Sequence, residues 1–205
     1  MNKLLIHIFF TLFVLDVFAV KQSQAKPLEI FGPIIEDIKT RIPSDLKMRL
    51  PAFVPTSIQD KTLYSFMYDD DLSIEIALDD LKMEFFTVQI ADTPDCSEAR
   101  NPQDCLVAIV GVAEDPIESE AQLNDLISNK KEDIDQVKFE RKIEGFYFVD
   151  EDLQIIIWRQ DKMANLLITQ ECSDKCISKQ ELIEMAKSAA KEPAITNIDT
   201  SYYSY

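Results

Sequence analysis

Residues 145–169 read GFYFVDEDLQIIIWRQDKMANLLIT, and this stretch decides the predicted fold. It contains three apolar runs separated by two short polar turns, and the runs are Gly145–Val149, Leu153–Trp158 and Ala164–Thr169. Short runs rich in β-branched and aromatic side chains, bounded by Asp, Lys and Gln, are typical of antiparallel strands. The stretch therefore predicts three strands joined as consecutive hairpins.

Further strands are predicted on the N-terminal side of this stretch. They are Leu63–Tyr68, Leu72–Leu78, Glu84–Ile90, Leu106–Ala113 and Val137–Ile143, together with an extended or edge segment at 47–54. The run Leu106–Ala113 is apolar throughout, which is typical of a strand buried on both faces and favours a central position. Val137–Ile143 instead alternates apolar and polar side chains, as a half-buried strand does.

Three helices are predicted among these strands. Pro33 suits the first turn of a helix that ends near Arg41, and Ser119–Ser128 has apolar residues at helical spacing. Ser178 with Glu181 forms a capping box that starts a third helix. The predicted fold is α+β: a mainly antiparallel sheet with an N-terminal, a middle and a C-terminal helix packed on one face.

The N-terminus has the pattern of a signal peptide over residues 1–25. Lys3 precedes an apolar segment at 4–20, and Ser23 and Ala25 are small residues at positions −3 and −1 before Lys26. The alternative is an anchor that is retained rather than cleaved, and Asp16 within the segment makes a membrane span costly. Either way, a secreted or periplasmic protein is predicted. Residues 26–192 are expected to form a single domain, followed by a flexible, Tyr-containing tail at 193–205.

Composition excludes several classes of function. The chain has 21 Lys and Arg against 37 Asp and Glu, a net charge of −16, which disfavours nucleic acid as a partner. Its single histidine is His7, so the mature chain lacks the imidazole of Ser-His-Asp, Cys-His and His-metal sites. The three glycines are isolated from one another, so no phosphate-binding loop is present. We therefore expect a protein without catalytic residues, cofactor or metal.

The four cysteines form two pairs that are close in sequence. In an exported chain an even number of cysteines indicates disulfides, and loop composition favours Cys96–Cys105 and Cys172–Cys176 among the three possible connectivities. A redox pair and a four-cysteine zinc site are alternatives, although both prefer the spacing C-x-x-C, which the chain lacks. Structural disulfides are the favoured prediction.

Acidic clusters lie between several of the predicted strands. They are 69–71, 79–80 and 150–152. Carboxylates at such turns are able to collect calcium, which takes six to eight oxygen ligands. The spacing of an EF-hand is not present, and acidic turns also keep a sheet protein soluble and its edges unpaired. Solvated turns are the favoured interpretation.

The part of the chain that follows Gly145 resembles a bacterial family of exported domains of unknown function, seen in sporulation-type and anti-sigma-type proteins. The resemblance covers about a quarter of the chain, and the residues that carry it are Gly145, Tyr147, Trp158, Asp161, Leu166, Ile168, Glu181, Leu182, Met185, Ala186, Lys187 and Ser188. Lys162 stands where a turn glycine is common in the family, and Asn165 where an aromatic residue is common. The resemblance implies an antiparallel sheet of the lipoprotein-carrier type with a terminal helix, and no catalytic residue.

Three functions are compatible with these patterns. The first is a non-catalytic exported module that binds an unidentified protein or an envelope or extracellular component. The second is a carrier that holds a hydrophobic molecule in a cavity lined by the sheet. The third is a histidine-free hydrolase that acts through carboxylates. The export signal, the predicted disulfides and the missing catalytic side chains favour the first.

Overall fold

The computed structural model describes residues 29–55, 58, 62–67, 73–78, 81–96, 105–116, 134–140, 143–170 and 177–198. Within these ranges, no helix combines the length and the apolar character needed to cross a bilayer. The predicted signal peptide at 1–25 lies outside the described residues, as does the predicted middle helix at 119–128.

Antiparallel strands dominate the part of the chain that the structure describes. In chain order they are β1 (Lys47–Met48), β2 (Tyr64–Phe66), β3 (Ser73–Leu78), β4 (Leu81–Ala91), β5 (Leu106–Glu114), β6 (Ile134–Lys138), β7 (Glu144–Asp150), β8 (Leu153–Gln160), β9 (Met163–Gln170) and β10 (Ile195–Thr196). The predicted antiparallel sheet is thus confirmed, and most predicted strands are present with bounds that differ by one to three residues.

Eight of these strands form one sheet. Seven of them are neighbours in the order β2-β4-β5-β9-β8-β7-β6, and β3 lies off this path. Strand β3 also pairs with β4, along Leu81–Phe86, whereas β2 pairs along Gln89–Ala91. Strand β5 lies between β4 and β9, which confirms the central position predicted from its continuous apolar run. Strands β7, β8 and β9 are consecutive antiparallel neighbours, as the stretch at 145–169 predicts, and β6 pairs with β7 at the edge.

Two-residue turns join β7 to β8 and β8 to β9. In the second turn Asp161 and Lys162 both have positive φ, 56° and 65°, and Gln160 pairs with Met163 across it. Two central residues with positive φ are typical of a type I′ turn, whose twist matches that of the flanking strands. This turn sets the register that places Trp158 opposite Asn165.

Two predicted strands are shorter or shifted. The strand predicted at Val137–Ile143 is instead Ile134–Lys138, because the chain turns at Phe139, whose N–H bonds the carbonyl of Ile143 at 3.2 Å. In the segment predicted as extended at 47–54, only Lys47–Met48 is a strand.

Part of the segment predicted as a flexible tail at 193–205 is paired with the rest of the chain. Strand β10 (Ile195–Thr196) pairs with β1 in a separate two-stranded sheet. The N–H of Ile198 then donates to the carbonyl of Lys39 at 3.0 Å. The prediction of a flexible tail does not hold for residues 195–198, because their partners lie far away in sequence and a two-residue strand has little local pattern. Residues 199–205 lie outside the described part of the chain.

Two helical segments pack on one face of the large sheet. A 3₁₀ helix (Glu29–Ile34) leads into α1 (Ile35–Arg41), and α2 spans Lys179–Lys191. The N–H of Glu181 donates to the hydroxyl of Ser178, and the Glu181 carboxylate accepts from the N–H of Ser178, so the predicted capping box is present. The predicted N-terminal and C-terminal helices are therefore confirmed.

Apolar side chains are buried on both faces of the sheet. On the helical face, Phe31 and Ile38 belong to the same cluster as Trp158, Leu182 and Met185. A second cluster on the opposite face contains Met83, Phe85, Ile109, Ala113, Phe148, Ile155, Ile157, Ala164, Leu166 and Ile168. Burial on both faces explains why β5, β8 and β9 are apolar runs rather than alternating patterns.

Candidate functional site

A disulfide joins Cys96 to Cys105, with a Cα–Cα distance of 5.7 Å. Both residues are buried and pack against Ala91 and Phe66, at the end of the sheet where β4 leads into the loop before β5. The N–H of Asp92 donates to the carbonyl of Cys105 at 3.0 Å and extends the β4–β5 ladder toward the disulfide. The first predicted pair is thus present and closes the loop between two neighbouring strands.

The second predicted cysteine pair and two of the three acidic clusters are not among the described residues. Cys172 and Cys176 lie outside the described residues, as do the acidic clusters 69–71 and 79–80. The cluster at 150–152 forms the exposed turn between β7 and β8. In the ranges that the structure describes, no group of three His, Cys, Asp or Glu side chains is arranged to hold a metal ion.

At the start of α2, buried polar side chains form a hydrogen-bonded chain. Tyr147 donates its hydroxyl proton to Gln154 Oε1 at 3.1 Å, and Gln154 Nε2 donates to the carbonyl of Ile177 at 2.8 Å. Lys179 Nζ lies 4.4 Å from the centre of the Tyr147 ring and also pairs with Asp135. These contacts fix the beginning of α2 to β7 and β8.

At the end of α2, by contrast, several buried polar side-chain atoms have no hydrogen-bond partner. We call Trp158, Gln160, Asn165 and Glu192 the end-of-helix cluster. Five buried side-chain atoms of this cluster have no hydrogen-bond partner in the described structure. They are Trp158 Nε1, Gln160 Oε1, Asn165 Oδ1 and both carboxylate oxygens of Glu192. Leaving such a group unsatisfied costs about 1–3 kcal/mol, and more for a charge. Buried polar groups without partners are rare and call for a specific explanation.

Strands β8 and β9 position three members of the end-of-helix cluster. Trp158 and Gln160 are two residues apart in β8 and so share one face of the sheet. Asn165 in β9 is the cross-strand neighbour of Trp158, and its Nδ2 donates to the carbonyl of Trp158 at 3.4 Å. The Trp158 ring stacks on Phe139 with centroids 5.7 Å apart. Trp158 is therefore a core residue, but one with an unsatisfied N–H.

Helix α2 supplies the fourth member. Gln160 Nε2 donates to the carbonyl of Ala190 at 3.1 Å, which ties the end of β8 to the last turn of the helix. Glu192 follows that turn as the C-cap, and its N–H donates to the carbonyl of Ala189 at 3.0 Å. Gln160 and Glu192 are thus both held at the C-terminal end of α2.

The charged side chains around this helix end are paired with one another. Arg49 donates to the main-chain carbonyl of Glu192 and forms an ion pair of 2.6 Å with Asp161. Lys191 pairs with Glu140 at 2.8 Å. The carboxylate of Glu192, which is 1% exposed, has no such partner among the described residues. A negative charge therefore remains uncompensated at this position when Glu192 is ionised.

Burial raises the pKa of the Glu192 carboxyl above its ordinary value. Desolvation disfavours the charged form of a carboxyl group, and the negative end of the α2 dipole acts in the same direction. The site therefore favours two outcomes: a neutral carboxyl group, or a cation that compensates the charge.

The end-of-helix cluster offers acceptors in excess of donors. Four of its unpaired atoms are oxygens and one is the indole N–H. A group that brings several N–H donors and a positive charge would satisfy this set better than a neutral group would. In chemical terms, the arrangement is suited to binding a small cationic donor.

No family model, curated protein or solved structure matches this chain. The resemblance of the C-terminal part to a family of exported domains therefore stays a prediction.

One residue of the end-of-helix cluster has a weak signal in the sequence. Asn165 interrupts an otherwise apolar strand, and an amide in such a run indicates a buried polar group. Glu192 gave no local signal, because it follows a helix in a polar segment and only the tertiary packing buries it. Gln160 also stands at a strand end, where a polar residue is ordinary.

Proposed function

We propose that this protein is a non-catalytic exported module that binds a protein or another component outside the cytosol. The Cys96–Cys105 disulfide is the observation that supports it most directly. Disulfides form and persist in oxidising compartments and are rare in the cytosol. The signal-peptide pattern at 1–25 points to the same compartment independently.

A rigid scaffold supports a binding role. The sheet is buried on both faces, and the two-residue turns and the disulfide restrain its ends. Such a framework presents its exposed turns in fixed positions, which lowers the entropy lost on binding. The net charge of −16 favours cationic over anionic partner surfaces.

The hydrolase alternative receives partial support from one residue. Glu192 has a raised pKa, as a general acid does, but its side chain is 1% exposed, so a glycan cannot reach it in this conformation. Activity on a panel of glycan substrates would restore this alternative. The carrier alternative is tested by mass spectrometry of denatured protein for co-purified lipid.

Fractionation combined with thiol alkylation tests export. Cells that express the full chain are fractionated, and thiols are alkylated before and after reduction. We expect the protein outside the cytosol, with Cys96 and Cys105 alkylated only after reduction, and an N-terminus that mass analysis places at Lys26 or at Met1. Cytosolic protein whose Cys96 and Cys105 react without reduction would contradict the proposal.

Binding is tested separately with the mature chain. Immobilised protein is incubated with an envelope or extracellular fraction at low and at high salt, and the captured component is identified and then titrated in purified form. We expect a saturable interaction that weakens with salt, because the module is strongly acidic. Failure of every purified candidate to bind would leave the export result standing and remove the binding role.

A further inference from the structure

We propose that the end-of-helix cluster is a binding site for a small ammonium group, the ammonium ion or a small primary amine, held by Glu192 and Gln160 beside Trp158. This site is independent of the binding role proposed above.

The first argument is the balance of donors and acceptors. The cluster has four unpaired acceptors, which are Gln160 Oε1, Asn165 Oδ1 and both Glu192 oxygens. Its one unpaired donor is Trp158 Nε1. A water molecule supplies two donors and also needs donors itself. An ammonium group has N–H donors only. It therefore matches the surplus of oxygen acceptors more closely.

The second argument is charge. Two cations at this helix end, Arg49 and Lys191, already pair with Asp161 and Glu140. Ionised Glu192 is left with an uncompensated charge at the negative end of the α2 dipole. A buried carboxylate without a partner is unfavourable by several kcal/mol, and a bound cation removes this penalty.

The third argument is geometry. Gln160 contacts the last turn of α2 through the carbonyl of Ala190, so its unpaired Oε1 is held at the same helix end as Glu192. Trp158 is two positions away on the same strand face, a distance of about 7 Å. Asn165 is directly opposite Trp158. An ammonium group bound at Gln160 Oε1 would therefore lie on the face of β8 that also carries Trp158.

The single tryptophan makes the site directly observable, because Trp158 is the only one in the chain. Its emission is recorded while mature protein is titrated with ammonium chloride, methylammonium chloride, potassium chloride and tetramethylammonium chloride at constant ionic strength. We expect a saturable emission shift and a rise in Tm with ammonium and methylammonium. Tetramethylammonium carries the same charge but has no N–H group, so it should produce neither change.

Two matched variants locate the effect. Glu192→Gln removes the charge and should weaken ammonium binding by about 100-fold or more. Glu184→Gln makes the same change on the same helix, at a side chain that is 48% exposed and paired with Lys187, and should bind like the wild type. Circular dichroism of both variants serves as the control for folding.

Three results would overturn the proposal. They are the absence of a saturable response in the wild type, an equal response of the Glu192→Gln variant, or a potassium response as strong as that to ammonium. The last would show that charge without N–H donors is sufficient. A response to methylammonium but not to ammonium supports the site and indicates an amine ligand with an apolar substituent.

Discussion

Lys162 occupies a backbone position that usually holds glycine. Its φ of 65° lies in the left-handed region, where a residue with a Cβ is strained by about 1–3 kcal/mol.

Replacing Lys162 with glycine should stabilise the protein. We expect the Lys162→Gly variant to gain about 0.5–1 kcal/mol in free energy of unfolding, since relief of strain exceeds the extra entropy of an unfolded glycine. Urea denaturation measures the change. Lys162→Ala serves as the control, because it removes the same side chain and keeps the strain. Equal stability of the glycine and alanine variants would show that the turn is not strained.

Gly145 is required for a close approach between strands and core. A Cβ added at this position would lie 2.4 Å from Cε2 of Phe139 and 3.1 Å from both the carbonyl oxygen of Ile157 and Cβ of Trp158. We expect Gly145→Ala to destabilise the protein by about 1–3 kcal/mol through overpacking.

Gly32 provides the matched control for this substitution. A Cβ added there meets no atom within 4 Å, so Gly32→Ala should change the stability little. Thermal unfolding of both variants measures the difference. A Gly145→Ala variant as stable as Gly32→Ala would mean that the Phe139 ring shifts aside without cost.

Glu192 should make the stability of the protein depend on pH. Its pKa is raised in the folded chain, so the folded state binds more protons than the unfolded state between the ordinary and the raised value. The free energy of unfolding therefore falls as the pH rises through this window. Glu192→Gln should remove this fall and stabilise the protein at neutral pH, whereas Glu184→Gln should retain it. Denaturation at a series of pH values, without added amines, compares the three proteins.

At the scale of elements, α2 is attached at both ends but by different means. Its start is held by the satisfied chain from Tyr147 through Gln154 to the carbonyl of Ile177. Its end is held by Gln160 and Arg49 through main-chain carbonyls, next to unpaired side-chain atoms. The start of the helix is thus the structural attachment, and its end is the place where binding would alter stability.

Breaking the first attachment should loosen the helix. Gln154→Met retains the volume but removes both hydrogen bonds and leaves the carbonyl of Ile177 without its side-chain donor. We expect a loss of about 1–3 kcal/mol and faster amide hydrogen exchange at the start of α2. Gln180→Met, on the exposed side of the same helix, should have almost no effect. Equal losses in the two variants would show that the buried chain contributes nothing specific.

The strands illustrate which elements a sequence predicts well. Strands β7, β8 and β9 were predicted because their apolar runs are separated by polar turns, and both signals are local. Strand β6 was misplaced, since the alternation continues through Phe139 and Ile143 although the chain turns between them. Strand β10 was missed because two residues carry no periodicity, and its pairing with β1 depends on about 150 residues of intervening fold.

At the scale of the whole molecule, the sheet joins strands that are distant in sequence, whereas the disulfide acts mainly on the unfolded chain. The sheet order places β5 between β4 and β9, so strands distant in sequence must find one another during folding. The Cys96–Cys105 bond acts instead on a local pairing, because it closes the loop between the consecutive strands β4 and β5. Its main thermodynamic effect is to restrict the unfolded chain.

Removing this bond should destabilise the molecule without changing its fold. We expect Cys96→Ser combined with Cys105→Ser to lose about 2–3 kcal/mol in free energy of unfolding, as a loop of this length implies. The comparison uses wild type and variant with and without a reducing agent. Sensitivity to reduction should be smaller in the variant, and a variant as stable as the oxidised wild type would mean that the loop is already ordered in the unfolded chain.

Sequence patterns were sufficient to predict the α+β class, the hairpins of the C-terminal half, the cap of α2 and the Cys96–Cys105 pair. All of these depend on residues near one another in the chain, where periodicity, turn residues and spacing act directly. Long-range packing was needed to establish that β9 is a neighbour of β5, that β1 pairs with β10, and that Glu192 and Asn165 are buried. These features arise where distant segments meet, and the exposure of a side chain there depends on what packs over it rather than on its neighbours in sequence.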